Sequence, residues 1–148
     1  MYEGGIRVPT IAVWKNKINA DTKTDFRALT MDLLPTFCEL AGAKIPPSVD
    51  GNSFLSVLLG QPKPPLNRHT FWVRREGGAY GGQEYYALRE GNWKLLQNTP
   101  FESFQLFDMA KDSLETTDVK TANKATYEAL VKKLRGHIQK AGAVNWQK

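Results

Sequence analysis

Two arginines, Arg74 and Arg75, stand directly before a glycine-rich run, Glu-Gly-Gly-Ala-Tyr-Gly-Gly at 76–82. Guanidinium groups beside a pliable backbone suit an anionic ligand, held through charge-assisted, bidentate hydrogen bonds. Tyr80, at the tip, adds an aromatic face able to stack on a sugar ring. Arg74, Arg75 and Tyr80 are therefore the candidate substrate-binding residues, against the plainer reading of the run as a flexible hairpin connection. The run is not a phosphate loop, because no Lys-Ser/Thr and no helix follow it. A second glycine pair, Gly4-Gly5, is flanked by Glu3 and Arg7. One or both of these charges suit a buried ion pair that fixes the turn better than they suit catalysis.

The remaining chemistry-bearing residues are sparse. Cys38 is the single cysteine, so no internal disulfide can form, and its apolar neighbours make it a small core residue. His69 and His137 lie far apart in sequence and, with one cysteine, form no metal site of recognised spacing. Asp108, Asp112, Glu115 and Asp118 lack the alternating oxygens and central glycine of a calcium loop and read as a solvated helix lead-in. No nucleophile–base pair stands out, so no catalytic residue and no metal ligand is assigned.

The elements that would position these residues follow from periodicity. Val8–Trp14 is a nearly continuous apolar run, which predicts a strand buried on both faces of a helix-covered sheet. Gly4-Gly5 gives a sharp turn before it. "TMDLLPTFCELAGA" (30–43) is helical, with Asp32 as cap, Pro35 in the first turn and Gly42 at the stop. Asp50-Gly51 reads as a turn. "SFLSVLLG" (53–60) is a short helix with Ser53 as cap and Gly60 after its end. The proline-rich "QPKPPLNR" (61–68) is the boundary between parts.

Beyond it, "HTFWVRR", "EYYALRE", "NWKLLQN" and "SFQLFDM" read as four strands, the middle two joined by a tight hairpin at "REGN" (89–92). Aromatics recur in successive strands, which suits a sheet core. The last segment is an amphipathic helix with Tyr127, Leu130, Val131, Leu134 and Ile138 on one face. The expected organisation is residues 1–65, an incomplete strand-and-helix part, and residues 66–148, an antiparallel sheet with a closing helix. A doubly buried strand needs neighbours for its amides, and the first part supplies none. The expectation is that the domain starts upstream of Met1.

Bulk properties narrow the function classes. The chain has 148 residues, 41% hydrophobic and 24% charged, enough for one sizeable core. No apolar stretch is long enough to span a membrane, and no basic start followed by an apolar run reads as a signal peptide; with the domain expected to start upstream, this leaves the compartment open. The net charge of +5 comes with no nucleic-acid-binding motif, and the lysines of the last third read as a solvated helix face.

Together, "YEGGIRVPTIAVW", "TMDLLPTFCELAGAKIPPSVDGNSFLSVLLG", "LREGNWKLLQN" and "FQLFDMAKDSLETTDV" resemble the C-terminal portion of the sulfatase family. They match its Tyr-Glu-Gly-Gly-x-Arg-x-Pro segment, Asp-x-x-Pro-Thr helix, Arg-x-Gly-x-Trp/Tyr-Lys-Leu hairpin and Leu-Tyr/Phe-Asp strand. "RREGGAYGG" and "HIQKAGAVNWQK" resemble arylsulfatase and N-acetylgalactosamine-6-sulfatase relatives. The resemblance implies an α/β, alkaline-phosphatase-like fold, of which this is the C-terminal part with its small antiparallel sheet and helix. It implies sulfate-ester hydrolysis, with formylglycine and calcium in a complete member. It also implies a sulfated carbohydrate or aryl sulfate as substrate, and often export to the periplasm or beyond.

This chain departs from the family pattern. It lacks Cys/Ser-x-Pro-x-Arg, since Cys38 is followed by Glu-Leu-Ala, and it lacks the family's Asp and Asn metal ligands. Only the active-site rim carries over: Glu3, Gly4, Gly5 and Arg7. The expectation is thus a chain inactive alone that binds no cofactor itself, with an N-terminal complementing portion as its partner. The alternatives are a phosphodiesterase or phosphatase relative on the same scaffold, and a non-catalytic module that binds carbohydrate or anions.

Overall fold

A computed structural model describes residues 1–62, 68–75 and 84–142. The chain divides into two compact units, one formed by Met1–Val8 with Asn67–Lys148, the other by Pro9–Leu66. The first eight residues therefore group with the sheet rather than with the residues that follow them.

The sheet is four-stranded and antiparallel, in the order β1 (Thr70–Arg75), β2 (Glu84–Glu90), β3 (Trp93–Gln97), β4 (Gln105–Asp108). Gly91, at φ +56°, takes the left-handed conformation that the two-residue β2–β3 turn requires. Strand alternation gives the sheet two different faces. On one, Tyr86, Leu88, Leu95 and Leu106 are buried with Phe104 under the helix Lys124–Gly142, which contributes Leu130 and Leu134. Tyr127, Val131 and Ile138 pack at the margin of that cluster, so the helix uses the face that its 3.6-residue period predicts. On the other face, Ala87, Leu96, Phe107 and Met109 form a second cluster, covered by Met1 and Trp72.

Among the described residues three short α-helices precede this one, so in chain order they are α1 (Glu3–Ile6), α2 (Leu33–Leu40, entered through a 3-10 turn at Thr30–Asp32) and α3 (Leu55–Leu58), and the closing helix is α4. In the Pro9–Leu66 unit, α2 ends in a Schellman motif. Ala43 N–H donates to Cys38 O (2.8 Å), Gly42 N–H to Glu39 O (3.1 Å), and Gly42 has φ +64°. Asp32 occupies the cap position, but its carboxylate does not cap α2. It accepts instead from Leu29 N–H (2.7 Å) and Asn52 N–H (2.9 Å), so it ties the helix start to the Asp50-Gly51 turn. Thr36 Oγ1 accepts from Phe54 N–H at 3.1 Å and continues the same junction. Ser53 likewise lies one residue before the α3 cap, with its Oγ accepting from Leu55 N–H at 3.2 Å.

The predicted strand at Val8–Trp14 is not formed. These residues carry no ladder, and Val8, Ile11 and Val13 are 75%, 88% and 89% exposed. Among the described residues no strand pairs with them, and an apolar, β-branched run becomes a strand only when its amides find partners. Gly4-Gly5 makes a single helical turn instead of a tight strand lead-in.

Candidate functional site

Glu3 is the best-defined charged residue of the Tyr2–Arg7 segment. It is 9% exposed and lies over the sheet face opposite α4. Its carboxylate spans two cations on neighbouring strands, with Arg89 Nη1 2.8 Å from Oε2 and Lys94 Nζ 3.1 Å from Oε1. Arg89 and Lys94 are directly paired across β2 and β3. Like charges in that position repel, and the Glu3 carboxylate between them removes the repulsion. Lys94 is fully buried, and its Nζ also lies 2.6 Å from Glu115 Oε1. That oxygen accepts no aligned hydrogen bond, so the contact is ionic. The other oxygen, Glu115 Oε2, accepts from the Glu3 backbone N–H at 2.5 Å.

Two carboxylates and two cations thus close a neutral, buried cluster. Burial pushes the Glu3 carboxyl up, but the Lys94 ammonium and then the Arg89 guanidinium outweigh it and hold the group below its ordinary value.

The chain start adds further contacts. The Met1 amine donates to Asn98 Oδ1 (3.2 Å), and Asn98 Nδ2 donates to the Tyr2 hydroxyl (2.8 Å). Burial, and then Lys94, lower the pKa of that amine. Tyr2 meets Phe107 edge-on at 6.5 Å.

The ion pair expected at the first glycine turn therefore exists at Glu3, but its partners are remote in sequence. Arg7 is exposed, and its backbone N–H donates to Glu3 O at 2.8 Å. Glu115 is not the solvated loop residue that sequence suggested. It is 7% exposed and adopts φ +57°. Asp118 is likewise structural, accepting Leu106 N–H (3.1 Å) at the outer edge of β4. The two histidines, distant in sequence, meet at one ring: His137 stacks on Phe71 at 3.8 Å, and His69 lies edge-on to it at 6.3 Å.

Of the candidate substrate-binding residues, Arg74 is exposed on β1, with its guanidinium 5.8 Å over the Tyr85 ring. Arg75 ends β1, and its side chain lies outside the described residues, as does Tyr80.

The described residues do not fit a calcium site. No three His, Cys, Asp or Glu side chains gather among them. The carboxylates of the 108–118 stretch are committed elsewhere, Asp108 to Ala110 N–H, Asp112 to Thr116 and Thr117 N–H, and Asp118 to Leu106 and Lys120 N–H.

Residues 1–143 match a family described as N-sulphoglucosamine sulphohydrolase, C-terminal. The chain is 30% identical to an ulvan-active sulfatase of Formosa agariphila, over 70% of this chain and 21% of that one. It is 27% identical to an N-acetylglucosamine-6-O-sulfatase of Bacteroides thetaiotaomicron, over 90% of this chain and 24% of that one. Among solved structures it is similar to Ps i-CgsB, with a TM-score of 0.70 and 26% identity over 83% of this chain and 27% of that one. The chain thus spans about a quarter of the length of the relatives it matches. Its sheet and closing helix are the C-terminal part of an alkaline-phosphatase-like fold.

Proposed function

The chain belongs to the N-sulphoglucosamine sulphohydrolase C-terminal family, and from that footing we propose that it acts as the C-terminal portion of a sulfatase, a hydrolase of sulfuric esters. In this reading it contributes the rim and the closing subdomain, and polypeptide outside these residues contributes the nucleophile and metal ligands. The observation that carries the reading is the family match over residues 1–143, in a chain where Cys38 stands in α2 ahead of Glu39-Leu40-Ala41 and not in Cys/Ser-x-Pro-x-Arg.

Exposed apolar surface supports a complementing portion as partner. Ile11 and Val13, and separately Leu34 and Phe37 of α2, are 88%, 89%, 51% and 60% exposed. Leu34 and Phe37, three residues apart on α2, are neighbours on one helix face, and apolar side chains left exposed together suit cover by a partner. A sulfated carbohydrate is the proposed substrate class, supported by the relative named for N-acetylglucosamine-6-O-sulfate.

What these residues do in such an enzyme is positional. The Glu3–Ile6 turn, held from below by Arg89 and Lys94, forms a fixed part of the rim, and Arg74 presents a cation on the same sheet face. Fixed groups around a charged ester stabilise its transition state without reorganising.

The test is sulfate release from an aryl sulfate and from 6-O-sulfated N-acetylglucosamine. The purified 148-residue chain is expected to release none above buffer. Mixed with an N-terminal sulfatase portion that bears Cys/Ser-x-Pro-x-Arg, it is expected to restore turnover. Metal-dependent turnover by the chain alone would contradict the proposal.

A further inference from the structure

We propose that Lys94 and Glu115 are positioning residues for the Tyr2–Gly5 turn. The inference rests on the rim reading above and adds the device that sets the rim. Glu3 is gripped twice from elements about ninety and about one hundred and ten residues away. Lys94 and Arg89 take its carboxylate at 3.1 and 2.8 Å, and Glu115 takes its backbone N–H at 2.5 Å. A side-chain contact alone leaves the backbone free to swing about the side-chain torsions. The second grip, on the amide, removes that freedom. Lys94 joins the two grips because its ammonium contacts both carboxylates from a fully buried position. The turn continues from this anchor, with Gly5 N–H donating to Tyr2 O (2.9 Å) and Arg7 N–H to Glu3 O (2.8 Å).

The turn so held is unusual in its glycines. Gly4 and Gly5 are exposed and helical, neither has a positive φ, and a Cβ at either would meet nothing within 4 Å. Glycine in a helical turn costs conformational entropy relative to alanine, and no described residue of this chain requires it here. The geometry therefore places a surface free of Cβ atoms on the mount that Lys94 and Glu115 set.

Two readouts test the positioning role. The first is NMR amide exchange in the chain alone. Glu3→Gln, whose side chain lies outside the sheet, is expected to speed exchange at residue 3, Gly5 and Arg7 at least tenfold while Leu88 and Leu95 stay within twofold of wild type. Glu115→Gln is expected to do the same. Wild-type rates at residue 3 and Gly5 in both variants would overturn the proposal.

The second readout uses the chain assembled with an N-terminal sulfatase portion. Lys94→Met is expected to lower kcat at least tenfold with KM within twofold, and Lys94→Arg to restore part of it. An unchanged kcat in a folded Lys94→Met assembly would also overturn the proposal. A wild-type assembly without turnover would sink the sulfatase reading instead, and the exchange pattern alone would then decide the clamp.

Discussion

The two units differ in what covers their apolar side chains. The sheet unit is covered on both faces, by α4 on one and by the Met1–Ile6 segment on the other, and Ala87, Leu88, Leu95, Leu96, Leu106 and Leu134 have no exposed surface. The Pro9–Leu66 unit is held by polar junctions around Asp32 and Thr36, with Phe54 and Pro35 buried beside them. Many of its large apolar residues face outward, Ile11, Val13, Leu34 and Phe37 most of all. Hydrogen bonds contribute modestly to net stability, whereas burial of apolar area dominates it. The comparison teaches that one unit carries its own core, while the other displays the side chains of a core that it does not close.

Substitutions can break or sharpen this contrast. The largest expected effect is in the sheet unit. Leu134→Ala removes a fully buried side chain where α4 meets the sheet, and is expected to cost about 2–5 kcal/mol, read as a lower denaturant midpoint. An effect below about 1 kcal/mol would mean that the sheet unit is as loosely closed as the other.

The next effect is local to the Pro9–Leu66 unit. A Cβ at Gly51 would overlap the Met31 carbonyl oxygen, so Gly51→Ala must push apart the junction between Asp32 and Asn52. Forced repacking of this kind costs about 1–3 kcal/mol. Accelerated amide exchange at Asn52 and Phe54, without change at Leu95, would register it.

These contrasts show what a reader of the sequence can recover. The four strands and α4 are legible because their periods, two and 3.6, are satisfied inside the chain, and Tyr127, Leu130, Val131, Leu134 and Ile138 face where the pattern puts them. Val8–Trp14 misleads for the opposite reason. Its pattern is that of a buried strand, but pairing is a property of neighbours, and no described residue ladders with it. Pro35 in the first turn and Gly42 at the stop of α2 are local choices and could be read locally.

The Glu3 cluster was legible in part. Glu3 could be seen as one half of an ion pair, but not that its partners are Arg89 and Lys94. A lysine in a strand normally reads as solvent-facing, yet alternation puts Lys94 on the face of Leu96, and the hairpin register sets it against Arg89. Two cations so paired call for an anion, and that signal was available in "LREGNWKLL". Nothing local in "DSLETTD" marked Glu115 as buried.

Acid acts on the sheet unit more gently. Burial raises the Glu3 and Asp118 carboxyls. Lys94 and Arg89 at Glu3, and the Leu106 and Lys120 contacts at Asp118, reverse this and leave both below their ordinary values of 4.5 and 3.8. The unfolded chain therefore takes up protons at higher pH than the folded one. The stabilisation from these groups is complete above the ordinary values and disappears as pH falls through the lower, folded ones. The melting temperature of the sheet unit should drop as pH falls below about 4.5, with a smaller drop in Glu3→Gln. A wild-type curve no steeper than the variant's would remove Glu3 from the account.

The smallest effect on the chain alone is at Phe37. It is 60% exposed, so Phe37→Ser should change stability by no more than about 0.5 kcal/mol. The same substitution should weaken binding of an N-terminal sulfatase portion, measured by titration. A large loss of stability in the chain alone would show that α2 already has its cover.

Limited proteolysis of the wild-type chain, with fragments identified by mass spectrometry, tests the contrast between the units most directly. Trypsin is expected to cut first at the exposed Lys15, Lys17, Lys23 and Arg27, and Arg89 and Lys94 should survive in a fragment that spans β2 to α4. Early cleavage at Arg89 or Lys94, with residues 15–27 still intact, would contradict the account.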